Sequence, residues 1–306
     1  MSVLTEIDRL LRHSLLARAQ PFIRAKAPWL HKTLLVGRDV LLPFQSRYGL
    51  SRYQHSAIER FYAFAPDVSG PVLEVGSDLE GSVLKELANR GIRQLIGLNV
   101  EVAFPASGVR RKDAERYGMI QGDVRHLPFK DGSISSIISI MAFEHIHDFD
   151  RALGEMHRVL KPGGTVYSDF GPIWSCSIGH HVYAIVDGVE ARHWKPGKNP
   201  VPHFAHLLMR PNELRAALRQ RDWVFPRLAD AIVQWIYEGE GVNRVFYEDY
   251  VKLFDRSPFT VRHLVPAQEH VPKAVQKQLE SACPGYTQFS ARMVEVVLHK
   301  PIPADR

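Results

Sequence analysis

The chain of 306 residues is about twice as long as an average domain, so it can bury a large hydrophobic core. Its 45% hydrophobic and 24% charged residues are typical of a folded globular protein and exclude a disordered, collagenous or coiled-coil chain. Two cysteines, Cys176 and Cys283, are too few for a disulfide framework or a four-thiolate zinc site, and they favour a reducing compartment such as the cytoplasm.

The first 60 residues carry the whole net charge of +6, with ten Lys or Arg against four acidic residues. Apolar residues interleaved with arginines predict amphipathic helices in an N-terminal extension, residues 1–66. A basic helical face attracts anionic surfaces without specifying one, so peripheral membrane contact and a plain solvated face both stay open. Early charged residues argue against a signal peptide, and the apolar stretches are shorter than the roughly 20 residues of a membrane-spanning helix.

From residue 70 onward, short apolar runs alternate with helical periodicity, which predicts a parallel sheet built from βαβ units in a core of residues 67–170. The predicted strands cover residues 71–76, 94–100, 119–124, 134–141 and 165–170. A helix capped by Ser77 or Asp78 is predicted after the first strand and ends at Gly91. A second helix is predicted over residues 148–160, with Asp148 as its cap.

Residues 171–257 lack this alternation and are rich in proline and aromatic residues, so we interpret them as a lid inserted in the sheet. Helices are predicted there over residues 211–221 and 247–254. Strand patterns return over residues 260–265 and 291–300, so residues 258–306 are expected to complete the core. The predicted fold class is α/β: a Rossmann-like, seven-stranded, mostly parallel sheet with helices on both faces, an N-terminal helical extension and an inserted lid.

One region of the chain carries a specific pattern of motifs. It contains Gly122-Asp123-Val124-Arg125-His126-Leu127-Pro128-Phe129, then Phe143-Glu144-His145-Ile146-His147-Asp148, and finally Arg158-Val159-Leu160-Lys161-Pro162-Gly163-Gly164. In order and spacing these motifs closely resemble the type 11 members of the class I S-adenosylmethionine-dependent methyltransferases, over about residues 72–170. The resemblance implies S-adenosylmethionine as the cofactor and methyl transfer as the activity.

The resemblance also implies which residues bind the cofactor, all of them at the carboxyl ends of strands, where doubly wound sheets bind ligands. These residues are Glu74, Gly76, Ser77, Asn99, Asp123, Val124, Ser139 and Met141. Glu74 and Gly76 match the acidic residue and the first glycine after the first strand. Asp123 matches the acceptor for the adenine amino group, with the Val124 backbone beside it.

The chain departs from the family pattern at two places. Asp78 and Glu80 stand where the second and third glycines usually lie, and Gly81 offers a glycine one residue later. Asn99 stands where an acidic residue normally holds the ribose, and Glu101 is the alternative. These departures leave a second hypothesis open, a cofactor-free scaffold of the same fold that holds partners or a membrane.

The acceptor should contact the lid, where five histidines lie within 27 residues: His180, His181, His193, His203 and His206. A hydroxyl acceptor needs a base, and neutral histidine can take its proton near physiological pH. The residues 171–181 loosely resemble methyltransferases that modify sugars and polysaccharides. We therefore expect a sugar, glycan or related small molecule methylated on oxygen, with His180 or His181 as the base. An N-methyltransferase of a natural product or a protein is the alternative.

A metal ion and a nucleic acid are not expected as partners. Glu144, Asp148 and Asp150 lie near one strand end, but Asp148 is explained as a helix cap, and the histidines lack a compact zinc spacing. Basic and aromatic residues do not interleave as they do in nucleic-acid-binding modules. The sequence thus predicts a small-molecule or glycan acceptor and no metal.

Overall fold

The structure is a computed structural model that describes residues 48–65, 68–101 and 117–303. The chain divides between residues 66 and 67 into two units. The basic helices predicted for residues 1–47 lie outside the described residues.

The described part of the first unit contains one helix, α1, over Arg52–Phe64. Its N-terminus is closed by a capping box, in which Gln54 N donates to Ser51 Oγ at 3.2 Å and Ser51 N donates to Gln54 Oε1 at 2.9 Å. Two backbone donors of the first helical turn are satisfied in this way, which is why the helix begins at this position.

The second unit is built on a seven-stranded sheet with the order β3-β2-β1-β4-β5-β9-β8. Its strands are β1 Val72–Val75, β2 Leu95–Asn99, β3 Tyr117–Gln121, β4 Ile134–Ile140, β5 Leu160–Phe170, β8 Thr260–Gln268 and β9 Ala291–His299. The strands β1 to β5 pair in parallel, while β9 runs antiparallel to both β5 and β8. The predicted Rossmann-like, mostly parallel seven-stranded sheet is therefore confirmed.

The centre of the sheet places four strand ends side by side. Val75, the last residue of β1, lies opposite Leu98 of β2 and Ser139 of β4, and Asn99 lies opposite Gln121 of β3. Because β1 lies between β2 and β4, the strand order reverses here, and a crevice for a ligand forms at such a point. The sheet thus positions the predicted cofactor residues along one edge.

Helices and a hairpin complete the second unit. They are α2 Ser82–Asn89, the 3-10 helix Phe143–His145, α3 Phe149–Val159, β6 Tyr183–Val186, β7 Val189–Arg192, α4 Ala205–Leu208, α5 Pro211–Leu218, α6 Pro226–Tyr237, α7 Tyr247–Arg256 and α8 Lys273–Ala282. None of the helices in the described ranges is long and apolar enough to cross a membrane.

Three local predictions about this core were wrong. The helix after β1 begins at Ser82 and not next to Ser77, because the left-handed Gly81 (φ 63°) is its N-cap. The strand β3 ends at Gln121, since the chain turns at Asp123, whose carbonyl accepts from His126 N at 2.9 Å. Asp148 precedes α3, but its backbone is left-handed (φ 50°) and its side chain makes no cap hydrogen bond.

The residues assigned to the lid have a hydrophobic core of their own. The hairpin β6–β7 packs on α6, and α5 packs beside α6. The buried apolar residues of this cluster include Val182, Ala191, Leu214, Leu218, Leu228, Ile232, Val233 and Ile236. The sequence did not predict the hairpin or α6, nor the helix α8 between β8 and β9.

Candidate active site

The turn after β1 requires glycine at its centre. Gly76 has φ +84°, a conformation that L side chains rarely adopt, and a Cβ placed on it would lie 2.4 Å from the Cβ of Ala142. The loops that follow β1 and β4 therefore approach each other as closely as a bare backbone allows. Packing against Ala142 and the positive φ thus both require glycine at position 76.

A small hydrogen-bond network supports this turn from below. Ser77 Oγ donates to Glu74 Oε2 at 2.7 Å, and Asn99 Nδ2 donates to the Ser77 carbonyl at 2.8 Å. Glu74 is only 3% exposed, and burial raises its pKa to about 8, an effect that the Ser77 hydrogen bond opposes. Glu74 is thus mainly uncharged at neutral pH and holds the loop together.

The two acidic residues that replace glycines do not fill the turn. The Asp78 carboxylate accepts from Ser82 N at 3.2 Å, at the start of α2, and Glu80 is exposed. Asp78 satisfies a backbone donor of the helix, as a capping residue does. The structure thus accounts for Asp78 as a residue that caps the start of α2.

The ribose position is occupied by a side chain that is already hydrogen-bonded at both ends. Asn99 Nδ2 donates to the Ser77 carbonyl, and its Oδ1 accepts from Glu101 N at 3.2 Å. Glu101 itself is exposed. The geometry keeps both residues at the end of β2, and their roles toward the ribose stay predictions.

The adenine position pairs an ionised acceptor with a backbone donor. Asp123 Oδ2 accepts from Arg125 Nη2 at 2.7 Å, and hydrogen bonds from Arg125 lower the pKa of Asp123. Among the described residues, no hydrogen bond uses the amide N–H of Val124. A carboxylate beside a backbone N–H matches adenine, which offers an amino donor next to a ring-nitrogen acceptor.

The end of β4 provides one buried and one exposed residue. Ser139 is fully buried, and its Oγ donates to the Val75 carbonyl at 3.0 Å, which fastens β4 to β1. Met141 is exposed and has φ 55°, a left-handed conformation that costs a non-glycine residue about 1 kcal/mol. Such strain is often found at functional sites.

Together these residues fit the predicted cofactor. The glycine turn supplies the close backbone approach, and Asp123 with Val124 supplies a donor and acceptor set for adenine. Glu74, Ser77 and Ser139 act on the loops through hydrogen bonds, and Met141 lies at the exposed edge. The role of each residue toward the cofactor stays a prediction.

The structure brings four of the five lid histidines together. The rings of His181 and His193 are 4.6 Å apart, those of His180 and His193 6.3 Å, and those of His180 and His206 5.5 Å. The fifth, His203, is exposed. Burial lowers the pKa of all four clustered rings, so they are neutral at physiological pH.

The two predicted bases are both buried in this cluster. His180 Nδ1 accepts from Val182 N at 3.1 Å, which leaves the hydrogen on Nε2, and Nε2 has no partner among the described residues. His181 Nε2 donates to the Pro172 carbonyl. Their catalytic role stays a prediction.

A pair of residues after β4 joins the cluster, and the sequence had considered only one of them, as a metal ligand. The ring of His145 lies 5.0 Å from that of His181, with its Nε2 3.9 Å from Glu144 Oε1. Glu144 is 1% exposed, neither carboxyl oxygen has a hydrogen-bond partner among the described residues, and burial raises its pKa to about 8. The feature of the sequence that could have identified both residues is their position shortly after the predicted fourth strand.

Asn243 fastens the inserted segment to this pair. Its Nδ2 donates to the carbonyls of Phe143 (2.8 Å) and Ile146 (3.0 Å), and its backbone N–H donates to the Glu144 carbonyl at 2.9 Å. Its Oδ1 accepts from the Tyr250 hydroxyl at 2.9 Å. We call this set of contacts the Asn243 clasp. It holds the segment before α7 against the 3-10 helix.

Within the described ranges, no group of three or more His, Cys, Asp or Glu side chains is arranged to hold a metal ion. Of the acidic residues considered earlier, Asp150 is paired with Arg256. Both cysteines are free thiols.

A family model described as a methyltransferase domain matches residues 73–168, the part of the chain that contains β1 to β5. The match covers 96 of the 306 residues. The resemblance to class I methyltransferases is confirmed for this methyltransferase domain, and with it the cofactor, S-adenosylmethionine.

Curated relatives match parts of the chain. Over 80 residues it is 34% identical to the demethylmenaquinone methyltransferase of Thermus thermophilus, covering 24% of this chain and 36% of the relative. Over 62 residues it is 44% identical to the malonyl-[acyl-carrier protein] O-methyltransferase of Methylococcus capsulatus, covering 20% and 22%. Over 98 residues it is 29% identical to the norajmaline N-methyltransferase of Rauvolfia serpentina, covering 31% and 34%. The aligned part of the chain therefore covers between 22% and 36% of the length of these relatives.

Solved structures include the S-adenosylmethionine-dependent methyltransferase from Mesorhizobium loti. The alignment covers 80% of this chain and 99% of that chain, with 16% identity and a TM-score of 0.46.

Proposed function

We propose that the protein is an S-adenosylmethionine-dependent methyltransferase that methylates an oxygen of a sugar, glycan or related small molecule. The observation that carries the proposal is the arrangement at one edge of the sheet. There the Gly76 turn, which would not admit a Cβ, lies at the end of β1, and the Asp123 carboxylate and Val124 N–H follow β3. Bound S-adenosylmethionine supplies a methyl group that is already activated on a sulfonium.

The chain's own residues then have to bind, orient and accept a proton. Gly76 gives the cofactor access to the backbone, and Asp123 with Val124 orients the adenine. Met141, exposed at the end of β4, lies where the two substrates are expected to meet. An oxygen acceptor needs a neutral base nearby, and the clustered histidines are neutral at physiological pH.

Exposed aromatic rings beside the histidines support a sugar-like acceptor. Tyr183 and Trp194 stack with centroids 6.0 Å apart, and the Arg192 guanidinium lies 4.7 Å from the Tyr183 centroid. The ring of His193 lies 4.8 Å from Trp194 and so joins these rings to the cluster. Aromatic faces bury the apolar face of a sugar ring, and an arginine adds hydrogen bonds for its hydroxyls.

The first test is binding of S-adenosylhomocysteine, the demethylated cofactor, measured by calorimetry on the full chain and on Gly76→Ala. The added Cβ meets Ala142, so we expect binding at least tenfold weaker. Gly91→Ala is the matched control, because Gly91 also has a positive φ (+99°) but nothing within 4 Å of an added Cβ. It should bind within twofold of the wild type.

A folded wild-type chain that does not bind S-adenosylhomocysteine would contradict the proposal and favour the cofactor-free scaffold. Equal binding by both glycine variants would contradict the placement of the cofactor over the Gly76 turn. Circular dichroism of both variants controls for the backbone strain that they share.

The second test identifies the acceptor atom. Wild-type protein is incubated with S-adenosylmethionine labelled on the methyl group and a small-molecule fraction of cell extract, and labelled products are isolated. Hot hydriodic acid releases the methyl of an O-methyl ether but leaves N-methyl and C-methyl groups in place. Release of the label supports oxygen; retained label contradicts it. The test is informative because one relative is named as an O-methyltransferase and another as an N-methyltransferase.

The compartment and the surface contacts of the first 60 residues are part of the same proposal. Two free thiols are consistent with the reducing cytoplasm, which also contains small molecules that can accept a methyl group. The basic N-terminal segment is proposed to contact anionic membrane surfaces. Binding of the full chain to vesicles with and without phosphatidylserine tests this contact, and equal binding to both would contradict it.

A further inference from the structure

Among the described histidines of this cluster, His145 is the most exposed, and His193 is partly buried. Its side chain is 45% exposed, whereas His180, His181 and His206 are buried. It belongs to the 3-10 helix that follows β4 and the exposed Met141 in the chain, so it lies near the edge where the cofactor's methyl group is expected. A residue has to be reachable before it can touch a substrate.

The hydrogen bonds of His145 also fix which nitrogen carries the hydrogen. Its Nδ1 contacts the Gly241 carbonyl at 2.5 Å, and a carbonyl oxygen can only accept. The hydrogen of the neutral ring is therefore on Nδ1, and the lone pair is on Nε2. Among the described residues no hydrogen bond uses that Nε2, which lies 3.9 Å from Glu144 Oε1.

The other rings of the cluster do not offer a comparable exposed lone pair. His193 and His206 each have an Nδ1 without a hydrogen-bond partner among the described residues, but both atoms are enclosed. The lone pair of His180 lies on Nδ1, which already accepts from Val182 N. His181 and His206 both donate through Nε2 to carbonyls, of Pro172 and Trp174, and both rings are enclosed. We expect these buried rings to hold the site in place and not to contact a substrate.

From this geometry we propose that His145 is the base of the methyl transfer and that Glu144 and the Gly241 carbonyl position it. This rests on the proposed function and names a catalytic residue for it. The acceptor's O–H bond breaks and its proton goes to His145 Nε2, while an oxygen lone pair forms the bond to the methyl carbon. The carbon–sulfur bonding pair stays on sulfur, which loses its positive charge, and the imidazolium carries the charge instead.

Glu144 suits the role of a positioning residue. Its uncharged carboxyl can be buried without a partner at lower cost than a carboxylate, and it lies beside the ring that becomes positive. When His145 takes the proton, the carboxyl beside it stabilises the charge. The Asn243 clasp holds the Gly241 carbonyl in place, because it joins the same segment to the 3-10 helix.

The first experiment reads the ring directly and needs neither cofactor nor acceptor. Nitrogen-15 spectra of histidine-labelled wild type and His145→Asn identify the His145 signals by their absence in the variant. We expect a protonated Nδ1 and an unprotonated Nε2, with a titration midpoint below 6.5, since burial lowers the pKa of His145. A ring protonated on Nε2 in its neutral form would overturn the proposal.

The second experiment compares two matched variants, His145→Asn and His147→Asn. Both histidines are exposed and both contact carbonyls of the inserted segment, His147 at Glu240 (2.8 Å), but only His145 faces Glu144. An asparagine amide can keep the hydrogen bond to the carbonyl without acting as a base. We expect His145→Asn to lower the rate of label transfer at least 100-fold, and His147→Asn to change it less than threefold.

Binding of S-adenosylhomocysteine separates catalysis from structure. His145→Asn should bind it within twofold of the wild type; a loss of binding that matches the loss of rate would overturn the proposal, and so would an unchanged rate. If wild type binds the ligand but transfers no label, the proposed function fails and this inference fails with it. If it transfers label and His145→Asn does too, only this inference fails.

The pH profile gives a readout that a purely structural role would not move. The groups that face His145 are Glu144 and His147 on its own segment and His181 and His193 from the inserted segment. The wild-type kcat/KM should rise with pH through a midpoint below 6.5. Glu144→Ala removes the group beside the ring, so it should shift that midpoint and lower kcat about tenfold, whereas Glu144→Gln keeps a neutral group of the same shape and should restore both. An unchanged midpoint in Glu144→Ala would contradict the positioning role.

Discussion

Burial divides the acidic residues of the site into two kinds. Glu74 and Glu144 are enclosed, and desolvation raises the pKa of each to about 8. Asp123 is partly exposed, and Arg125 lowers its pKa. The first two are therefore mainly neutral, and Glu74 holds its loop through Ser77, while Asp123 keeps the negative charge that an amino donor needs. Residue type alone did not distinguish these roles.

The raised pKa of Glu144 predicts how stability depends on pH. The stability that goes with its protonated form is fully present below the ordinary value of 4.5 and is lost as pH rises through about 8. Between pH 6 and pH 8 this amounts to about 2 kcal/mol of unfolding free energy. Glu144→Gln stays neutral, so it should lose about 2 kcal/mol less than wild type over this range, as measured by urea unfolding.

Glu238→Gln is the control for this measurement, since Glu238 is exposed. It should keep the wild-type slope of stability against pH. Glu74 contributes to the slope in all three proteins, so the difference isolates Glu144. A Glu144→Gln slope equal to that of the wild type would show that Glu144 is already ionised at pH 6.

At the scale of secondary-structure elements, the Asn243 clasp connects the inserted segment to the loop after β4. The Asn243 side-chain amide donates to two carbonyls in the region of the 3-10 helix and accepts a hydrogen bond from the hydroxyl of Tyr250 on α7. The Val245 N–H adds a fourth contact at 3.2 Å. The clasp thus sets the position of the Gly241 carbonyl that contacts His145.

Removal of the clasp should therefore loosen a defined segment. Asn243→Ala leaves the buried Tyr250 hydroxyl without its partner, and we expect a loss of about 2 kcal/mol in unfolding free energy. Hydrogen exchange of residues 239–246 should become faster. Asn199→Ala is the control, because among the described residues the Asn199 side chain makes only the same local turn bond, from Val201 N at 3.1 Å, and its loss should cost less than about 1 kcal/mol.

Equal destabilisation by the two asparagine variants would contradict the clasp. So would a loss of stability in Asn243→Ala with unchanged exchange over residues 239–246, because the lost contacts would then lie elsewhere.

The sequence predicted elements well where one local pattern decided them. The apolar run at β4 and the Lys161-Pro162-Gly163-Gly164 turn before most of β5 are readable without the rest of the chain. The helix α6 also has a helical stripe, Leu228, Ile232 and Ile236, and could have been predicted from it. The hairpin could not, because its second strand, Val189–Arg192, carries charged residues and is held by its partner strand.

At the scale of the whole molecule, the cofactor half of the candidate site was accessible from the sequence and the acceptor half was not. Strand ends meet along one edge in any such sheet, so Gly76, Asp123 and Ser139 could be grouped by order along the chain alone. His145 and the lid histidines are separated by about 35 residues or more, and their meeting depends on packing across the clasp. Local patterns do not encode that packing.

The central claim concerns where the cofactor lies, and a crystal structure of the full chain with S-adenosylhomocysteine tests it most directly. The account predicts the adenine amino group within hydrogen-bond distance of Asp123, and the sulfur over the Gly76 turn with the His145 ring facing it. A ligand bound elsewhere, or a turn occupied by the side chain of Asp78 or Glu80, would contradict the account.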